Sequence, residues 1–145
     1  MSGPHVRIET GGLARQALGG GITGKLVLHF GDTAFPGEDW DDFVVVVLAW
    51  WCDEYDKIAD SISSFNLRFM DGSFVAHGLR SAEEGGPVTV NLGSREREAL
   101  HGSVVVEREA LAQSLREAAR AIANECRRNG WEVPELHKLD RIAER

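Results

Sequence analysis

From Trp40 to about Asp60 apolar side chains recur at three- and four-residue steps, and Phe43, Val47, Trp50, Trp51, Tyr55, Ile58 and Ile62 share one stripe. No other feature restricts the fold as much. That spacing puts them on one face of a helix. The run Val44 to Val47 is β-branched and on its own suits a strand equally well. Length decides for a helix, because strands usually stop after about five or six residues. Asp39 is the expected N-cap, accepting free backbone N–H groups. Asp41 and Asp42 then fall in the first turn, where the helix dipole favours negative charge.

Around this helix the pattern has period two. His5 to Glu9 predicts a short strand, and Ile22 to Phe30 a longer one with Leu26, Leu28 and Phe30 on one face. Between them Gly11-Gly12 and Gly19-Gly20-Gly21 bracket a loop or a ragged edge strand. Phe65 to Met70 and Ser73 to His77 predict a hairpin, with Asp71-Gly72 supplying a type I′ turn. Pro87 to Leu92 and Leu100 to Val106 predict two more strands. Leu111, Leu115, Ala118, Ala119, Ile122 and Cys126 form a second amphipathic helix that Asn129-Gly130 ends. Trp131 to Arg145 is a tail in which Pro134 offers a helix start. The 145 residues suit a single α+β domain. The order of elements predicts an antiparallel sheet of about five or six strands with two main helices packed on one face.

The chain shows no secretory signal, and its longest unbroken apolar run, Phe43 to Cys52, is half of what a membrane-spanning helix needs. Cytoplasmic location is the expectation, with Cys52 and Cys126 as reduced core residues. Gly19 to Lys25, GGGITGK, has phosphate-loop spacing as far as its lysine. Leu26 stands where a magnesium-binding Ser or Thr belongs, and a strand follows where a helix is required. No pair of histidines has helical metal-ligand spacing, and there is no Cys-x-x-Cys. His29, His77 and His101 lie on predicted strands, where convergence would make a small catalytic site and separation would leave polar sheet residues. The expectation is a non-enzyme with no cofactor, no metal and no catalytic residue.

Charge is distributed unevenly. The total is −7, from 23 acidic and 16 basic residues, which disfavours nucleic acid and anionic membranes as partners. The window from Leu26 to Asp56 carries −8, and no Lys or Arg falls between Lys25 and Lys57. Its acids are Asp32, Glu38, Asp39, Asp41, Asp42, Asp53, Glu54 and Asp56. Five of these eight lie between Asp32 and Asp42, interleaved with Phe35 and Trp40. Concentrated like charge disfavours the folded state, and a basic protein would relieve it. These ten residues are the candidate partner-binding set. The alternative is a solvated acidic loop whose aromatics plug the core.

The block Phe35-Pro36-Gly37-Glu38-Asp39-Trp40-Asp41-Asp42-Phe43, then Leu48-Ala49-Trp50-Trp51 and Leu67-Arg68-Phe69-Met70-Asp71-Gly72, resembles immunity proteins of bacterial contact-dependent and polymorphic toxin systems. The resemblance covers about 40 residues, Gly31 to Gly72. It implies a cytoplasmic inhibitor that binds and blocks a basic toxin. The competing expectation is a structural or adaptor domain that forms a homodimer.

Overall fold

Two antiparallel sheets of four strands each and four helices make up the α+β fold of the computed structural model, which describes residues 5–17, 21–60, 63–70, 72, 74–80, 86–94 and 99–145. The first sheet holds β1 (Val6–Arg15), β2 (Ile22–Phe30), β3 (Thr33–Phe35) and β4 (Asp41–Asp42). β1 lies on one edge of β2, while β3 and β4 share the other. Helices α1 (Val44–Asp53) and α2 (Tyr55–Ala59) follow. The second sheet is a meander of β5 (Phe65–Arg68), β6 (Phe74–Gly78), β7 (Val88–Ser94) and β8 (Ala99–Val106). Helices α3 (Arg108–Arg128) and α4 (Leu136–Ala143) complete the described fold.

The single sheet expected from the sequence is therefore two. Both edges of β2 are occupied within its own sheet, and the sheets meet through side chains instead of backbone hydrogen bonds. Phe35 meets Phe69 and Phe74 edge to face, with ring centroids 5.9 and 5.8 Å apart. Trp40 meets the same two rings at 6.2 and 5.2 Å. Edge-to-face pairs at these separations are favourable beyond the area they bury. Trp51 of α1 closes the group against Phe69 at 5.3 Å, and its indole N–H donates to the Arg68 carbonyl at 2.9 Å.

β1 is twice as long as the sequence suggests. It runs through Gly11-Gly12, with an irregular register between Gly11 and Ala14. A Cβ on Gly24 would lie 2.9 Å from the Gly11 carbonyl, so glycine permits this close backbone approach. Val6, Ile8, Leu26, Leu28 and Phe30 turn towards α1 and α3. The hydroxyl of Ser114 fastens α3 to β1 by donating to the Val6 carbonyl at 3.0 Å.

The long stripe of the first helical segment breaks at Glu54, between α1 and α2. The carboxylate of Glu54 accepts the Asn66 N–H at 2.8 Å, which fixes this break against β5. Val47, Trp51, Tyr55 and Ile58 are buried as the stripe predicts, and Ile62 lies outside the described residues. Asp39 is not the N-cap. Asp41 and Asp42 pair with Lys25 and Gly24 as a strand, and the helix begins only after Phe43.

In the second sheet the hairpin register centres on Asp71-Gly72 as expected, with Arg68 opposite Val75 and the Phe69 N–H on the Phe74 carbonyl at 3.2 Å. Gly72, at φ +72°, donates its N–H to the Phe69 carbonyl at 3.0 Å, and Asp71 and Ser73 lie outside the described residues. α3 buries the predicted stripe and ends as expected. Gly130 bonds back to Arg127 and Trp131 to Cys126, the paired bonds of a Schellman motif. Arg108, 5% exposed, donates to the carbonyls of Lys57, Ile58 and Ser63 and so closes the end of α2. Buried apolar residues of both sheets and all four helices form one continuous core.

Gly78 is the least replaceable glycine. A Cβ there would lie 2.2 Å from the ring of Phe65, its buried cross-strand partner. Gly78→Ala is expected to cost about 1–3 kcal/mol, read as a lower urea midpoint with an unchanged slope. Gly37→Ala, whose Cβ meets nothing within 4 Å, should stay within about 0.5 kcal/mol of wild type.

Candidate functional site

The ten residues singled out by charge and aromaticity separate into distinct environments. Phe35 is buried, Trp40 is half-buried, and both belong to the aromatic joint between the sheets. Asp42 is also buried, with every bond directed inward. One carboxylate oxygen accepts the Phe43 N–H at 2.7 Å. The other accepts the Trp40 indole N–H at 3.0 Å and the Met70 N–H at 3.3 Å. Phe35 and Asp42 thus hold the fold together and present nothing to a partner.

Asp53, Glu54 and Asp56 face a basic lining from within the chain. Lys138 of α4 meets Asp53 at 2.8 Å, Lys57 meets Glu54 at 2.9 Å, and Arg145 meets Asp56 at 3.8 Å. Two of these cations, Lys138 and Arg145, come from the far end of the chain, which local sequence patterns cannot reveal.

The remaining acids are exposed. Asp32 stands in the turn from β2 to β3, where Phe30 pairs with Thr33, whereas Asp41 pairs with Lys25. Five residues of β2 separate these registers, about 17 Å at roughly 3.3 Å per strand residue. Glu38, Asp39 and Asp41 therefore form one group and Asp32 stands apart. Among the described residues Lys25 is the one cation at this group, 3.6 Å from Asp39, and it is shared with Glu9 at 3.4 Å. Asp39 has 94% of its side chain exposed, so water and salt screen that pair strongly.

Two residues expected in the core lie outside it. Phe43 and Trp50 are each 39% exposed, and the half-buried Val46 lies between them at i, i+3, i+7 spacing. The signal was the ten-residue apolar run itself: α1 has no polar side chain before Asp53, so one of its faces had to carry apolar residues outward.

The histidines serve separate partners. His29 bonds Glu9 at 2.7 Å in the first sheet, and His77 bonds Asn66 at 2.7 Å in the second. The side chain of His101 lies outside the described residues. Among the described residues no three His, Cys, Asp or Glu side chains are placed to hold a metal ion together. Burial, reinforced by Asp53, pushes the Cys52 thiol up to about 12, and burial also raises Cys126. Neither buried thiol is activated as a nucleophile. Glycines 19 and 20 of the GGGITGK segment lie outside the described residues, and Ile22 to Lys25 form part of β2. No described helix is long and apolar enough to cross a membrane.

In comparisons with known proteins the chain matches no family model, no curated protein and no solved structure.

Asp42→Ala strands three donors and is expected to cost about 2–4 kcal/mol in chemical denaturation. Glu38→Gln and Asp41→Asn should each remain within about 0.5 kcal/mol. The His29 hydrogen bond, aided by Lys25 and opposed by burial, holds the Glu9 carboxyl below its ordinary 4.5. Glu9 therefore stabilises the fold above that pH, and its contribution fades as pH falls through the lowered value. Glu9→Gln should flatten the acid limb of a stability-against-pH curve measured by chemical denaturation.

Proposed function

We propose that the chain is a non-enzymatic, cytoplasmic immunity-type protein that binds a basic toxin and blocks it. The observation supporting this reading is the group Glu38, Asp39 and Asp41, three exposed carboxylates on a backbone pinned from beneath. Phe35, Trp40 and Asp42 are locked into the joint between the sheets, which limits how far the three acids between Phe35 and Asp42 can move apart. A preorganised negative surface steers a cationic partner and loses little freedom on binding it. The resemblance of Phe35 to Phe43, and of the segments after it, to toxin immunity proteins agrees with that charge logic. A toxin that cuts nucleic acid carries the basic groove such a surface would fit.

A second reading, self-association, is favoured by β8. It is the outer strand of its sheet, and Val105 upon it is half exposed. Uncovered edges of this kind invite pairing with another strand.

Tagged protein used to capture partners from host lysate should retain one basic protein at low salt and release it at high salt. The Glu38→Gln/Asp39→Asn/Asp41→Asn variant should lose at least tenfold in affinity for that protein. Equal capture by the variant defeats the surface assignment. Retention of the chain alone, with a dimer in sedimentation, shifts the reading to self-association.

A further inference from the structure

Among the described residues, Phe43 and Trp50 at the outward face of α1 are the exposed Phe and Trp side chains. Val44, Val45, Val47, Leu48, Ala49, Trp51 and Cys52 point inward and are at most 2% exposed. A helix that is apolar all round belongs in an interior. The two sheets, α3 and α4 cover α1 on its other sides, yet Phe43 and Trp50 stay open to solvent. α4 packs against α1 as well, and its Lys138 pairs with Asp53 at the end of α1.

We propose that Phe43, Val46 and Trp50 form a docking strip for a cationic protein segment, whose arginine or lysine side chains lie across the two aromatic rings while their charges reach Glu38, Asp39 and Asp41. The inference rests on the binding reading above and supplies its anchor. Charge selects the occupant. The acids stand immediately before Phe43 in the chain, and between Lys25 and Lys57 no Lys or Arg intervenes. Guanidinium groups stack on aromatic faces and pair with carboxylates in one geometry. A second copy docked strip to strip about a two-fold axis would set its own three carboxylates against these. Anionic lipid would be repelled by the same three carboxylates. Exposed aromatics beside a polar rim are the composition of an interface centre, where a few residues dominate affinity.

The probe is a synthetic amphipathic helical peptide with leucines at i, i+3 and i+4 and arginines flanking them, titrated calorimetrically. Wild type should bind it, and should ignore the same peptide with glutamate in place of arginine. Phe43→Ser/Trp50→Ser, with folding checked by circular dichroism, should bind at least tenfold more weakly. In unmodified protein the Trp50 indole resonance should shift on binding while that of buried Trp51 stays still. This second measurement decides the matter even if the double variant fails to fold. Unchanged affinity in the aromatic variant, with affinity lost in the Glu38, Asp39 and Asp41 variant, overturns the strip and leaves the acidic surface standing. Unchanged affinity in both overturns both. No binding by wild type, preference for zwitterionic vesicles, or self-association abolished by the aromatic substitutions each overturns the cationic occupant.

Discussion

One buried carboxylate organises this molecule. Asp42 receives N–H groups from Phe43, Trp40 and Met70, which lie at the head of α1, in the acidic segment and beside the β5–β6 turn. The Trp40–Phe43 stretch and the β5–β6 hairpin, which belong to different sheets, are thereby set in one geometry. A buried charge is tolerable only when its lone pairs are filled, and here three donors fill them. The edge-to-face rings of Phe35, Trp40, Phe69 and Phe74 close over the same junction. The exposed acids and the outward aromatics both project from this fixed base, so their spacing is a property of the core.

Electrostatics divides the surface without changing its total. The acids of the α1–α2 region meet Lys57, Lys138 and Arg145, contributed largely by the far end of the sequence. Those before α1 share a single lysine with Glu9. Exposed ion pairs add little stability each. Their effect here is to leave one acidic group uncompensated.

Local elements were legible in the sequence where one interaction range decides them. β2 follows from alternation, the burial of α3 from its stripe, and the end of α3 from Asn129-Gly130. The division into two sheets was not legible, because alternation places side chains on faces and does not name the neighbour of a strand. The start of α1 was misread because Asp39 has the chemistry of a cap, while Asp41 and Asp42 had a backbone partner in β2 some seventeen residues earlier. In the candidate site, charge identified Glu38, Asp39 and Asp41 correctly as exposed, but also enrolled Asp42, whose role only tertiary packing reveals. Phe43 and Trp50 were assigned inward because a stripe drawn through an all-apolar helix has no polar face to orient it.

The contact between Ser114 and Val6 spans 108 positions, and Arg108 reaches back some 50 to close α2. The covering helix of the first strands is thus made late. On the ribosome, β1 and β2 emerge with Val6, Ile8, Leu26 and Leu28 lacking their lid until α3 has been synthesised. Contacts this remote in sequence slow folding and prolong the exposure of apolar surface. A nascent chain of this protein therefore carries apolar surface of its first strand uncovered through most of its synthesis, until its penultimate helix arrives.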